Sequence, residues 1–567
     1  MTPFRDRLCG STLLLAFSGL SWGQTQPQPS SNEQITQAWQ QNNVGGQAPQ
    51  VVQQEDGSTK LEWKGGVAVD SYANDITSAN GATNTPLTSG TFYKAVLQSD
   101  LRAINGTDVT NFQLGLTQTD DRSVLSQYPR QVNNMQLARA GQGYLMMLGD
   151  VAPNFSSLSS ALGARGLIAQ RQLGGFTVNG YTGVVAESWE ALEGRVIRNQ
   201  YERDVNGVKI DYALTENLKV YATGQSGSDR AGTMTSAAAA TAQTAKLRSN
   251  SAGFQYQQGQ FQMAGETAVS RFEQMTQEGY SGRATVLDGS WRGQTVSLRS
   301  GYHDISAGFA SNSAAATAGV QETYVGGDWT AAQWVTLGSD LRRSRNSTLA
   351  TYYTAATTTR TDSGTVRAIV NFGVDHPGWG LTLQQSDSRS FDGLAQESKN
   401  AQSTMAVNYS SQTWIYGLSL GQVKARNQAA AGAESDTASW QLSVGRSLSN
   451  AEGNMPASWL MNVNLAAGMQ HQHLLVGGDI ETANYSMSLS AQRETWGTLS
   501  VVASTGFLTQ ASGLPALRQR GLQIEASHPL TNRAVLKLYS RDTRRNIGDP
   551  LLGALERVTG VQFAYNF

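Results

Sequence analysis

The chain has 567 residues, of which only 15% are charged, with 59 Gly, 12 Pro, one Cys and a net charge of −1. Ordinary soluble proteins carry about 25% charged residues, and a mean hydropathy of −0.35 shows that the missing charges are not replaced by apolar residues. A net charge near zero gives no case for nucleic-acid binding through a basic surface, and a lone Cys excludes a disulfide scaffold and a multi-thiolate metal site. Low charge without high hydrophobicity is what results when one face of each element meets lipid and the other meets water through Ser, Thr, Gln, Asn and Gly.

In chain order, Arg5 and Arg7 precede an apolar run over 10–20, and Ser21, Trp22 and Gly23 end it on a small residue. This pattern reads as a secretory signal peptide over 1–23, because the run is well short of the roughly 20 residues a spanning helix needs. Cys9 falls within that leader, so the mature chain is expected to lack cysteine, which suits passage through an oxidising periplasm. Residues 24–60, rich in Gln, Asn, Ser and Pro, read as a flexible periplasmic extension. Docking of a periplasmic partner is the other reading of that segment.

From Leu61 to Phe567 the dominant signal is alternation with period two, which places successive side chains on opposite faces of a strand. Tyr485, Met487, Leu489 and Ala491 alternate with serines; Val208, Ile210 and Tyr212 alternate with Lys209 and Asp211; Val366, Ala368 and Val370 alternate with Arg367 and Ile369. Short turns, such as those around Asn217, Gly259 and Gly378, alternate with long segments of low complexity, including 224–245, 304–318, 343–364, 425–437 and 541–556. A soluble sandwich has no reason to segregate its loops in this way. The pattern predicts an all-β fold: a transmembrane antiparallel β-barrel over 61–567, of roughly 24–26 strands, with short periplasmic turns and long extracellular loops.

Trp334, Trp379, Trp414, Trp459 and Trp496 each follow a short turn, as an interfacial girdle at one height would require. The last residues, Gly560, Phe563, Tyr565 and Phe567, resemble the terminal assembly signal of Gram-negative outer-membrane barrels. That resemblance implies recognition by the barrel assembly machinery, with outer-membrane lipid and lipopolysaccharide as surroundings. In place of the polar residue usual two positions before the glycine stands Val558.

Two segments break the regular pattern, 149–166 and 186–203, and one or both are expected to fold inward as a constriction, with Asp150, Phe155, Arg165, Trp189 and Glu190 as the candidate residues; ordinary extracellular loops are the other reading. Lys209, Asp211, Lys219 and Arg367 are the expected lumen-facing charges. The string Gly149, Asp150, Phe155, Ser156, Leu158, Arg165 and Gly166 is similar to the fimbrial ushers, a resemblance that implies a barrel of about 24 strands exporting pilus subunits. The chain departs from that family in lacking an inserted plug domain and cysteine-bearing terminal domains.

Enzymatic barrels use His with Asp, Ser or Asn at the rim. Of the five His, His376 and His528 lie in short turns, His303 stands beside Asp304 and Ser306, and His471 and His473 share a strand face with no acid expected beside them. No catalytic set, metal site or cofactor follows from these. The reading is therefore a non-enzymatic outer-membrane channel. Export of a polymer, polysaccharide or polypeptide, is the leading expectation, with an uptake porin and a structural or receptor barrel as the alternatives.

Overall fold

A computed structural model of the chain describes residues 59–567 except 79–86, 154, 160–162, 241, 275–276, 312–316, 350–355, 374–375, 393–396, 412, 428–433, 449–458, 475–477, 494–495, 510–515 and 548–552. The signal peptide and nearly all of the 24–60 extension lie outside the described residues. Strands β1 (Thr59–Ser78) to β26 (Ala554–Asn566) form one 26-stranded sheet. Each strand pairs antiparallel with its neighbours in the chain, and β1 pairs with β26 from Gly66↔Asn566 to Ser78↔Ala554. The sheet is thus a closed antiparallel barrel in which every strand has two partners, the arrangement a spanning sheet needs because lipid offers no hydrogen bonds to an open edge. Among the described residues no helix is long and apolar enough to cross a membrane.

Alternation sets the two faces. Val208 and Ile210 of β8 (Arg203–Ala213), Val269 of β11 (Phe261–Gln274) and Val366 of β16 (Thr358–Asn371) are 45%, 44%, 58% and 56% exposed. A folded soluble core would cover such side chains; a belt of them around a closed barrel is a surface made for lipid. Their strand neighbours, which include Lys209, Glu266, Ala268 and Arg367, form the opposite, inner face.

Connections at one end are short, as between β2 (Gly90–Asn105) and β3 (Asp108–Thr119), where Gly106 at φ 58° supplies the left-handed turn residue. The other end carries most of the longer connections, but strict alternation fails at several places, of which two stand out. β11 runs on to within two residues of β12 (Gln277–Arg292), and the turn-side connection from β20 (Ser435–Leu448) to β21 (Trp459–Leu474) covers 449–458.

The expected loops 224–245, 343–364 and 541–556 are also shorter than predicted. β9 (Leu218–Asp229), β15 (Val335–Ser347), β16 and β25 (Ala534–Ile547) continue well into them. Polar cross-strand partners hold those extensions together. Thr361 bonds Ser390 at 2.8 Å, and Arg343 meets Asp362 at 2.8 Å, so the ladder persists where apolar periodicity has ended.

Candidate functional site

Among the described residues the inner wall is interrupted where one connection folds in. The connection from β5 (Tyr144–Val151) to β6 (Ala164–Leu173) does not project outward: its residues 155–159 cross the inner face of the neighbouring strands. Phe155, 6% exposed, packs with Met147, Ile168, Tyr181 of β7 (Phe176–Val185) and Val205 of β8. Its ring meets Tyr181 edge-on with centroids 5.1 Å apart. Gly207 makes room for this pair, since a Cβ there would stand 2.3 Å from the Tyr181 ring and 3.1 Å from Phe155.

Farther along, Glu266 of β11 receives the arm. Ser156 Oγ donates to one carboxylate oxygen at 2.5 Å, while Ser157 Oγ and the Leu158 amide donate to the other at 3.1 and 3.2 Å. Leu158, 1% exposed, inserts among Ala268, Ala284, Val286, Ile305 and Phe309. Thr223 of β9 bonds Ser159 at 3.3 Å and Ser251 of β10 (Ala245–Gln258) at 2.7 Å. Phe309 comes from the connection after β13 (Val296–Ile305), and Gly282 admits it, because a Cβ there would lie 2.1 Å from the Phe309 nitrogen. Two connections thus meet on the inner wall between β6 and β13.

The second irregular segment packs elsewhere. It contains one short helix, α1 (Trp189–Leu192), capped by Ser188, whose Oγ accepts from the Ala191 amide at 3.0 Å. Trp189 Nε1 donates to Asp150 at 2.9 Å, the Met135 amide donates to the same carboxylate oxygen at 2.7 Å, and Arg165 approaches Asp150 at 3.6 Å and covers the Trp189 ring at 5.7 Å. Buried Glu190 accepts from the Val132 amide at 2.8 Å.

Asp150 and Arg165 are register partners, and they alternate with Val151 and Ala164, which belong to the Phe155 cluster. They therefore stand on the outer side of the same strands, at the rim. Asp150, Phe155 and Arg165 lie on β5, β6 and the connection between them, and Trp189 and Glu190 on α1 in the connection from β7 to β8: Phe155 is on the inner face, and the other four form a knot that clamps α1 over the rim of two short strands.

Asp150→Ala leaves an indole N–H and an amide without their acceptor and the Arg165 guanidinium without its counter-ion, a loss of about 3 kcal/mol. The temperature at which the folded barrel loses its fast migration in detergent gels should fall by several degrees, whereas Asp150→Asn, which keeps an acceptor, should fall by less.

The expected lumen-facing charges are mostly paired. Lys209 meets Asp211 at 3.0 Å and lies 4.8 Å over Tyr221, and Arg367 meets Asp328 at 2.5 Å. Lys219 lines an inner recess of about 490 Å³ with Gln255, Gln262, Asp288, Arg299 and Tyr324. Arg299 pairs with Asp340 at 2.5 Å and Arg342 with Glu322 at 2.6 Å, so the pairing extends across β13 to β16.

The histidines require a correction. His471 and His473 do have acids beside them, across the β21–β22 ladder (β22, Gly478–Arg493): His471 meets Glu481 at 3.3 Å and His473 meets Asp479 at 2.6 Å. His303 pairs with Asp288 at 2.9 Å rather than with its sequence neighbours Asp304 and Ser306. Among the described residues no group of three or more such side chains could hold a metal ion.

Trp334, Trp379 and Trp496, 54%, 44% and 64% exposed, stand at the short-turn end, and half-buried Trp414 starts β19 (Trp414–Asn427) there. Trp379, Tyr409, Tyr416 and Trp414 form a continuous series of ring contacts at 4.9, 5.7 and 5.5 Å. Trp459 opens β21 at the same end.

Neither a family model nor a curated protein matches the chain. Among solved structures it is similar to the P pilus usher (PapC) translocation pore, at 12% identity and a TM-score of 0.36, covering 89% of this chain and 99% of that one. It is also similar to the E. coli P pilus tip assembly intermediate PapC-PapD-PapK-PapG, at 12% identity and a TM-score of 0.43, covering 88% of this chain and 60% of that one. Pseudomonas aeruginosa OccD3 gives 8% identity and a TM-score of 0.29, covering 91% and 93%. At such identities the likeness is one of barrel architecture, and the function has to be argued from this chain's own residues.

Proposed function

We propose that the chain is an outer-membrane channel that passes a polymer, polysaccharide or polypeptide, from the periplasm to the cell surface. Strand number is the observation that carries this reading. With strands about 4.8 Å apart and tilted about 40°, a circular barrel of 26 strands is about 50 Å across between backbones. The arm over 155–159 covers one part of that wall and acts as a lateral constriction, while α1 braces the rim.

Paired inner charges support passage of bulky cargo over ionic selectivity. A selective pore presents rings of one sign, whereas here Lys209, Arg299, Arg342 and Arg367 each face an acid. The same neutral wall fits a second reading, uptake of an uncharged solute. The exposed aromatics at the short-turn end serve as the interfacial girdle, that end is periplasmic, and the terminal stripe to Phe567 is read by the assembly machinery.

Size separates the two readings. The intact chain is reconstituted in planar bilayers and neutral polymers of increasing mass are added to one side. Export predicts that polymers of several kilodaltons still enter and lower the current. A cut-off at the size of an oligosaccharide would overturn export in favour of uptake.

A further inference from the structure

We infer that the outer wall carries a binding site for a phosphorylated, acylated glycolipid of the outer leaflet, that is, for lipopolysaccharide. The inference rests on the outer-membrane location proposed above. A groove of about 830 Å³ runs across β14 (Val320–Ala332), β15, β16, β17 (Trp379–Phe391) and β18 (Glu397–Ser410), lined by Val325, Leu341, Gly364, Arg343, Arg389 and Lys399. These six share the face of the exposed apolar belt: Val325 and Leu341 are 53% and 58% exposed, and the others lie at even spacings from exposed Leu341, Val366, Leu383 and Met405 on their strands. Gly364 forms the floor, where a Cβ would stand 3.2 Å from Leu341.

The groove changes character along the strands. Its lower register row, Leu341, Gly364, Asp387 and Ala401, is apolar except for Asp387, and its upper part is ionic. From Val335 to Arg343 on β15 the chain climbs about 20 Å along the barrel axis, at roughly 3.3 Å per residue and a tilt near 40°. An apolar band is about 25 Å tall, so Arg343 stands within about 5 Å of its upper edge, where its side chain reaches the level of lipid phosphates.

Register concentrates the cations. Arg343, Asp362, Arg389, Lys399 and Arg426 are consecutive partners across β15 to β19, and Arg345 faces Arg360. Seven cations, Arg343, Arg345, Arg360, Lys399, Arg389, Lys424 and Arg426, share this upper outer face with four acids, Asp362, Asp387, Glu397 and Asp436. The acids do not neutralise the row: Asp362 serves both Arg343 and Arg360, Glu397 serves both Arg389 and Lys399, and Asp436 serves Arg426.

Like charges placed directly opposite one another on a sheet destabilise it. The run Arg389, Lys399, Arg426 puts three side by side without an acid in the row. A phosphate set between them removes the repulsion and gains charge-assisted hydrogen bonds, and an acyl chain below it covers Val325, Leu341 and Gly364. A basic rim above an apolar floor at headgroup height matches a lipid that carries both groups.

The test uses the full chain expressed in a Gram-negative host. Density fractionation of membranes and heat-modifiable migration come first; a folded chain absent from the outer-membrane fraction would overturn the location itself. Purified barrels are then scored for retention of bisphosphorylated lipopolysaccharide, its dephosphorylated form, phosphatidylglycerol vesicles and inorganic phosphate.

The expected result is strong retention of the bisphosphorylated form. Arg389→Gln with Lys399→Gln should lower it about tenfold, on the order of one lost charge-assisted contact. Gly364→Leu, which fills the floor while leaving the charges, should lower it similarly, and Arg271→Gln, an outer-face arginine away from the groove, should leave it unchanged. Equal retention of the dephosphorylated form, of phosphatidylglycerol, or by the double variant would overturn the inference with the location intact. Inorganic phosphate displacing the lipid at equal concentration would overturn the lipid assignment.

Discussion

Deleting Phe567 should leave little folded barrel in the outer membrane. The last residue is part of the seam that closes the sheet. Its amide donates to the Gly65 carbonyl at 3.0 Å and its carbonyl accepts from the Gly65 amide at 3.1 Å, while its ring packs against Trp63 with centroids 4.6 Å apart. Gly65 must be glycine for this, because a Cβ there would lie 2.8 Å from the Phe567 ring.

Two backbone hydrogen bonds and one aromatic contact sum to about 3–4 kcal/mol, and the loss falls on the pairing that converts an open sheet into a barrel. A destabilisation of that size lowers abundance several-fold or more. The measurement is the heat-modifiable fraction in isolated outer membranes, with total chain followed in parallel. Wild-type levels of folded barrel in the deletion would remove Phe567 from the closure step.

The same seam explains Gly560. Tyr539 of β25 and Tyr72 of β1 both face Gly560 in register, and the Tyr539 ring passes over it so that its hydroxyl donates to buried Asp70 of β1 at 2.9 Å. A Cβ at Gly560 would stand 2.4 Å from that ring. The glycine of the terminal pattern is therefore what lets a side chain from β25 reach across β26 and tie the seam on the inner face. On the outer face Val561, Phe563 and Tyr565 remain 46%, 41% and 38% exposed.

Strands and their two faces were legible in the sequence because both depend on local periodicity. Val208, Lys209, Ile210 and Asp211 alternate in the chain as they do on the wall. Strand ends were less legible. The long-loop ends of β15, β16 and β25 are held by cross-strand polar and ionic pairs, Arg343 with Asp362 and Arg557 with Asp542, whose partners are separated by 15 or more residues and leave no periodic mark.

The candidate site divides along the same line. Phe155, Asp150, Arg165, Trp189 and Glu190 stood out because glycines, Pro153 and a helical run break the alternation around them. Glu266 did not, since it sits in a regular strand and is one of 43 acids. Its task is set by serines about 110 residues earlier. His471 and His473 looked free of acids for a similar reason: Glu481 and Asp479 are supplied by the next strand, in register.

Glu266→Ala should release the arm from the inner wall and enlarge the channel. The carboxylate takes three hydrogen bonds from Ser156, Ser157 and the Leu158 amide, and it is 5% exposed. Truncation strips three donors of their acceptor at once, with a penalty of about 3 kcal/mol or more. Leu158 among Ala268, Ala284 and Val286, Phe155 against Tyr181 and Val205, and the Thr223–Ser159 bond then hold the arm without its carboxylate anchor. Three donors left without their buried acceptor weaken the attachment of the arm, so the detached state should become more populated than in the wild type.

Single-channel conductance of Glu266→Ala should rise and flicker between two levels, as an arm moving on and off the wall requires. Glu266→Gln, which keeps acceptor and shape, should stay nearer wild type. Ala268→Trp, placed under Leu158, should detach the arm by a steric route and reproduce the Glu266→Ala level. If Glu266→Ala conducts as wild type does while Phe155 and Leu158 become sensitive to protease, the arm lies on the wall without narrowing the path, and the constriction has to be sought elsewhere in the barrel.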